Sequence, residues 1–431
     1  MFSLHETTQR KLCRILFVAL CGVPTLLLIV YGLRLNLPGH RAAVASELAE
    51  QIGAGVFLDD IVYPRPGHTR LFNVKLRDPE TGGEIGQMRE LDIVETDGRI
   101  VVYAAQPRLD ARHFALVWRR LEDRVLRAGP SAAQRIELRA ADLTITSPKA
   151  EAQTLRQVLL VITREETGTV AELKYSVAGI DMPEPAVLRL AQRRSGAEQS
   201  STQLAWHTGG AALPVAPWVA KFPWLAQLGK NCHFRGELTA EETSQGWRGE
   251  LAGELRRIDL EQLVSDQFPH KLSGESRAIV EQLRFEQGRV VAARGRIEAG
   301  PGVLGQSLVA SMAEHFSWQI GGERAASVKP DALRRYSQLA LHFSLDEQRL
   351  KLRGECADSP ERTALAVGGE RYLTPPENSV SPLAIVRALS PASDHDVPAT
   401  KATRSLIQVL PLPEEILQAE EKPPRGHVRG P

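Results

Sequence analysis

Cysteine is scarce, with four in 431 residues, and Cys21 falls inside an apolar N-terminal run with Cys13 at its threshold. Only Cys232 and Cys356 remain to meet outside it, which excludes a disulfide scaffold and leaves one bridge open. Aromatic residues are thin at 5%, too few for a surface that stacks on bases or sugars. Neither charge dominates: 53 basic against 52 acidic residues give a net +1. A nucleic-acid partner needs a basic footprint, so none is expected.

Catalytic and metal signatures are equally sparse. The histidines form no H-x-x-x-H and the cysteines no C-x-x-C, and Cys232 and His233 would point to opposite faces of a strand. Gly305-Gln-Ser307-Leu-Val309 fails the nucleophile-elbow pattern at its last position. Asp59–Asp60 and Glu165–Glu166 are neighbours along the chain, so their side chains diverge and make no acid/base couple. Gly300-Pro-Gly302-Val-Leu-Gly305 matches the dinucleotide fingerprint. However, Pro301 removes a backbone donor, and no second buried strand with a closing acidic residue follows. The expectation is a protein that is not an enzyme and has no cofactor.

What the chain does have is one long apolar run, residues 15–33, without a charge. As a helix it covers about 28 Å, close to the hydrocarbon thickness of a bilayer. Ile15, Leu16, Phe17, Leu26, Leu27, Leu28, Ile29 and Val30 are its candidate membrane-anchor residues, and Pro24 predicts a kink. A cleaved signal peptide is the competing reading, but the run is long, Arg34 follows directly, and the nearby small-x-small tripeptide Ala43-Val44-Ala45 lies well beyond it. Arg10, Lys11 and Arg14 precede the run, which predicts residues 1–14 in the cytoplasm, an inner-membrane anchor at 15–33, and the bulk of the chain periplasmic.

Beyond the anchor, residues 40–52 have helical spacing, and then the period changes to two. Phe72, Val74 and Leu76 alternate with polar neighbours, 78–83 reads as a turn, and Asp97-Gly98 is a hairpin signal. Residues 110–127 break the pattern: Phe114, Val117, Trp118, Leu121 and Val125 form one helical stripe with an Arg-rich opposite face. This predicts an amphipathic helix packed on a sheet, or alternatively lying on an anionic membrane. Alternation resumes over 134–146, 155–163 and 169–177. Residues 214–228 read as a Pro-punctuated insert whose Trp218, Phe222, Trp224 and Leu225 plug a core. Gly-punctuated hairpins recur after 230, with short helices at 260–264 and 303–316. Repeated hairpins of this kind predict strands added one after another onto a continuing sheet. The last stretch, 391–431, is Pro-rich and predicted disordered, apart from a short helix near 403–410. Its Leu410-Pro-Leu-Pro reads as solvated linker.

Several segments together resemble the AsmA-like proteins of diderm bacterial envelopes. These are the anchor, Glu47-Leu-Ala-Glu-Gln-Ile-Gly53-Ala-Gly55, Val56-Phe-Leu-Asp-Asp-Ile-Val-Tyr63-Pro64-Arg-Pro66-Gly67, Leu71-Phe-Asn-Val-Lys-Leu-Arg-Asp78-Pro-Glu-Thr-Gly82 and the later hairpins. The likeness covers the anchor to about residue 110, and 229–356 more loosely. It implies an inner-membrane protein with a periplasmic β-groove, tied to lipid transport or outer-membrane biogenesis, with no catalytic residues. This chain differs in being short and in its polar tail.

The expected fold is therefore mainly β with helices: a transmembrane helix, then an elongated, curved antiparallel sheet shaped as a groove, amphipathic helices and a disordered tail. An AsmA-like β region spans 40–210 and a repeated-hairpin region 211–390. Alternation puts Leu173, Tyr175, Leu283, Phe285, Leu350 and Leu352 on the groove lining. With about 15 strands at ~4.8 Å, the groove runs ~70 Å. Expected partners are membrane lipids through their acyl chains, and envelope proteins. The alternative is a non-transporting scaffold of an envelope or secretion complex, its apolar face covered by the helices at 110–127 and 303–316.

Overall fold

The computed structural model describes residues 6–35, 37–120, 122–123, 134–147, 150–165, 168–195, 199–220, 223–321, 332–346, 348–357, 359, 362–390 and 400–412. The chain is mostly β, built around one 21-stranded sheet. It begins with helices α1 (Glu6–Phe17) and α2 (Val23–Leu35), joined by a π-helical turn, Val18–Gly22. Pro24 has no N–H to give, and the turn before it widens so that Val23 N–H reaches back to the Val18 carbonyl. The expected kink takes this form. Arg10–Val30, 21 residues, is long and apolar enough to cross a membrane and is not buried against the rest of the chain.

Helix α3 (Pro38–Ile52) follows, with Pro at its first position and Gly53 left-handed at its end. It leads into strands β1 (Gly55–Phe57), β2 (Asp60–Arg65), β3 (His68–Arg77), β4 (Glu84–Thr96), β5 (Arg99–Ala105) and β6 (Arg108–Asp110). A 3-10 turn and helix α4 (Phe114–Arg120) then lead toward β7 (Arg135–Ser147). Long hairpins continue through β8 (Ala150–Glu165), β9 (Gly168–Val177), β10 (Ala186–Ser195), β11 (Gln199–His207) and β12 (Leu213–Pro214). After two 3-10 turns come β13 (His233–Thr243), β14 (Gly246–Asp259), β15 (Glu275–Glu286), β16 (Arg289–Ala299) and β17 (Gly302–Gly305). Helix α5 (Gln306–Phe316), β18 (Gln319–Ile320), β19 (Leu333–Tyr336), β20 (Gln338–Asp346), β21 (Arg349–Gly354), β22 (Leu365–Val367) and β23 (Glu370–Thr374) precede α6 (Leu383–Leu389) and α7 (Lys401–Val409).

Nearly every strand pairs with its sequence neighbour, as the hairpin pattern predicts. The sheet is antiparallel as expected, apart from one join at which β5 and β6 pair with β7 in parallel. A parallel pair needs a crossover rather than a tight turn, and the connection carrying α4 supplies it. The ladder also runs unbroken past residue 210, where β11 pairs with β13. The short helix expected at 260–264 is a π-helical turn, Glu261–Ser265, and the helix expected from 303 begins at Gln306 because Gly302–Gly305 pairs with β19.

The tail differs from its expectation. α7 forms as predicted, but Leu410 and Leu412 are buried with Val386 and Ile407 instead of standing as solvated linker. The prediction overlooked α6, whose apolar face gives the segment somewhere to dock. Residues 391–399 and 413–431 of the predicted disordered tail lie outside the described residues, as do 121 and 124–127 of the predicted helix, Leu121 and Val125 of its stripe among them.

Candidate functional site

Directly opposed residues in a β-ladder share a face. One such row crosses strand after strand: Ile93, Val102, Leu138, Leu160, Leu173, Leu188, Trp206, Leu238, Leu251, Leu283, Ala293, Leu345 and Leu350. Every member is apolar. At about 4.8 Å per strand the row extends on the order of 60 Å. A second row on the same face runs Ile100, Ile136, Ile162, Ala171, Leu190, Leu204, Ala240, Gly249, Phe285 and Val290. A shorter one runs Gly236, Gly253, Val280, Gly295, Phe343 and Leu352. Leu173, Leu283 and Leu350 thus share one row, Phe285 lies on the second and Leu352 on the third.

Glycines let this face fold tightly. A Cβ at Gly249 would stand 2.2 Å from the Thr239 carbonyl oxygen and 2.7 Å from Cζ of Phe285. At Gly295 the same atom would meet the Ile279 carbonyl at 2.2 Å and Phe343 Cζ at 3.0 Å. In each case a phenyl ring lies over the bare backbone of the next strand, the arrangement that pins register at a sharp sheet bend.

Two roofs interrupt the apolar face. The first is aromatic. Phe114 of α4 meets Trp218 edge-on at 5.4 Å, Trp218 meets Trp206 at 5.1 Å, and Trp206 meets Phe234 at 5.4 Å. The crossover brings α4 onto the sheet, so its apolar stripe is spent on packing, and Trp218 and Leu225 plug the core as expected. The side chains of Phe222 and Trp224 lie outside the described residues. Beneath this roof Tyr175 is 7% exposed, accepts a hydrogen bond from Trp206 Nε1 at 3.3 Å, and has its hydroxyl pushed up to about 12 by burial. The second roof is α5 with α6: Leu308, Val309 and Phe316 close over Leu345 and Leu350. Leu350 is 4% exposed and also bridges to Val380. Tyr175 and Leu350 are therefore core residues rather than an open lining. Leu173, Leu283, Phe285 and Leu352 remain half-buried.

A cavity of about 640 Å³ opens near the strand ends remote from the aromatic roof. Leu204, Ala240, Gly249 and Phe285 of the second row border it, but Arg189, Arg193, Arg248 and Arg284, with Glu241, Glu250 and Glu286, belong to the opposite face: Arg189 and Arg284 stand in the same cross-strand series as Glu137. Of the six sequence candidates, Phe285 alone borders it. Alternation assigns these arginines to the face away from the apolar rows, and the pairing register agrees.

The opposite face carries ion pairs. Glu137 is 1% exposed and accepts hydrogen bonds from Arg139 at 2.7 Å and from Arg99 and Arg135 at 2.8 Å each. Those guanidiniums, Arg139 foremost, hold its carboxyl down at about 2. Glu254 is similarly held low, by Arg256 and then Arg277.

The remaining sequence motifs have structural roles. The backbone of the glycine-rich segment is occupied, Gly305 N–H donating to the Lys271 carbonyl at 2.7 Å and Val303 N–H to Ser273 Oγ at 3.1 Å. Ser307 stands 3.1 Å from Nδ1 of His270, a ring that is 2% exposed and whose pKa is pushed down by burial. Cys232 and Cys356 are free and buried in separate clusters. Among the described residues no group of three or more His, Cys, Asp or Glu is placed to hold a metal.

The fold defines a class, a long curled sheet with one apolar face, carried behind a helix able to span a bilayer. No family model, curated protein or solved structure matches the chain.

Proposed function

We propose that this is a membrane-anchored, periplasmic lipid-handling protein, related to the AsmA-like group, that shelters acyl chains on its apolar sheet face. The observation that carries the reading is the unbroken cross-strand row from Ile93 to Leu350, of which Leu138, Leu160, Leu173, Leu238, Leu251 and Leu283 are only half-buried. An acyl chain needs a continuous water-shielded surface and little polar specificity, and a row of leucines provides that. Extraction of the full chain in mild detergent, followed by lipid mass spectrometry, tests the proposal. Stoichiometric phospholipid is the expected result, and a lipid-free protein would overturn it.

The two roofs favour a second reading, an anchored scaffold whose apolar face serves only its own core. Tyr175 and Leu350 belong to that picture. Crosslinking to defined envelope proteins, with no bound lipid, would select it.

A further inference from the structure

Outside the spanning helix, large apolar side chains that stand exposed are concentrated close behind it: Leu37, Ile52, Phe57, Val62 and Tyr63, between 39% and 56% exposed. Elsewhere among the described residues the exposed ones are Tyr103, Leu333 and Val409, far apart in sequence. The concentrated set belongs to one structural edge. α3 packs Val44, Leu48 and Ala49 onto Val56, Ile61, Leu71 and Val74, so it lies beside β1 and β2. Tyr63 is tied back to α3 by a 2.8 Å hydrogen bond with His40 Nε2. Phe57 and Val62 both border β3, opposite Lys75 and Arg70, on the face away from that small core.

Charge on the edge is mixed but basic at its rim. Arg77 lies over the Phe57 ring at 4.8 Å, and Arg65, Lys75 and Arg77 are exposed. Of the acidic residues on the edge, Asp59 is engaged by Asn73 and Asp60 by Arg41, while Glu47 and Glu50 of α3 are exposed. An exposed phenyl ring under a guanidinium, with a tyrosine nearby, suits the membrane interface, where aromatic bodies sit at headgroup depth and cations meet phosphate.

We infer that the α3–β1–β2 edge rests on the leaflet from which the spanning helix emerges, with Phe57 and Val62 at headgroup depth. The tether requires proximity: α3 starts eight residues after Val30 and touches α2. Strands β1 and β2 leave backbone groups unpaired on their outer side, which hydrocarbon would not tolerate but the hydrated headgroup layer satisfies. In this pose the strands lie along the membrane surface, and the apolar rows, which run across strands, lead away from it. The inference rests on the membrane-anchored reading and gives the sheet face its point of contact with the bilayer.

The test places p-benzoylphenylalanine at position 57 or 62 of the full chain in nanodiscs of phosphatidylethanolamine and phosphatidylglycerol, with positions 103 and 333 as controls. All four side chains are exposed, so the fold is spared. After irradiation, lipid adducts at 57 and 62 should exceed those at 103 and 333 several-fold. Equal labelling at all four sites, or crosslinks at 57 to a second copy or another protein, would overturn the inference. Lipid retained by the detergent-extracted chain reports separately on the apolar rows, so a failure at the edge and a failure of the trough are distinguishable.

Discussion

Phe285 lies across Gly249 of the neighbouring strand, so close that a methyl group at 249 would stand 2.7 Å from the ring's Cζ. The backbone on the other side is closer still, with the Thr239 carbonyl at 2.2 Å. Gly249→Val therefore has to displace main chain as well as a ring. The expected cost is about 1–3 kcal/mol, the range for overpacking a filled site. A lowered denaturant midpoint with unchanged slope would register it; a neutral outcome would show that the bend does not depend on this glycine.

Glu137 gives a prediction with a defined sign. Its carboxyl is held at about 2, against an ordinary value of 4.5. The folded state thus binds this proton less readily than the unfolded chain does. The stabilisation is complete above pH 4.5 and is lost as the pH falls toward 2. Glu137→Gln should weaken the protein by roughly 1.5–3 kcal/mol at neutral pH, the usual worth of hydrogen bonds to a charged group. It should also flatten the acid limb of a stability-versus-pH curve, and an acid limb identical to the parent's would refute the assignment.

His270 acts at milder pH. Burial lowers its pKa from 6.5, so below that value the unfolded chain takes up a proton that the folded one resists. Stability should fall as the pH drops beneath 6.5, and His270→Gln should reduce the slope there. Thermal melts on either side of pH 6.5, for parent and variant, make the comparison.

The lipid proposal has its own discriminating substitutions. Leu238 and Leu283 are half-buried members of the long apolar row and lie on the β-ladder through Leu251. Leu238→Glu combined with Leu283→Glu places two carboxylates on the path. Bound phospholipid should drop several-fold by mass spectrometry while circular dichroism stays unchanged. Unaltered lipid content in a folded double variant would remove the row from any role in lipid binding.

Much of this fold was legible locally. Alternation located the long hairpins, Asp97-Gly98 marked its turn, and the Phe114–Trp118 stripe announced a helix packed on a sheet. What escaped was non-local. The parallel join depends on where the crossover returns, which the stretch around α4 does not encode by itself. The burial of Leu350 depends on α5, α6 and Val380 arriving from later in the chain. Leu410 and Leu412 looked solvated because a proline-interrupted segment has no periodicity from which to infer docking. The apolar half of the candidate site was readable for the same reason as the strands were. The arginines beside the cavity read as positions on the other face, and the pairing register puts them there.

The nearest-neighbour order of the sheet bears on how the chain assembles. Most contacts form between segments adjacent in sequence, so each new hairpin can add to a finished edge with little loop-closure penalty. The returns into β7 and β20, and the pairings of β17 with β19 and β18 with β23, must wait for longer connections to close. In the proposed periplasmic placement the chain is delivered across the membrane from one end, and a β-structure that zips up in that same direction leaves few of its strands waiting without a mate.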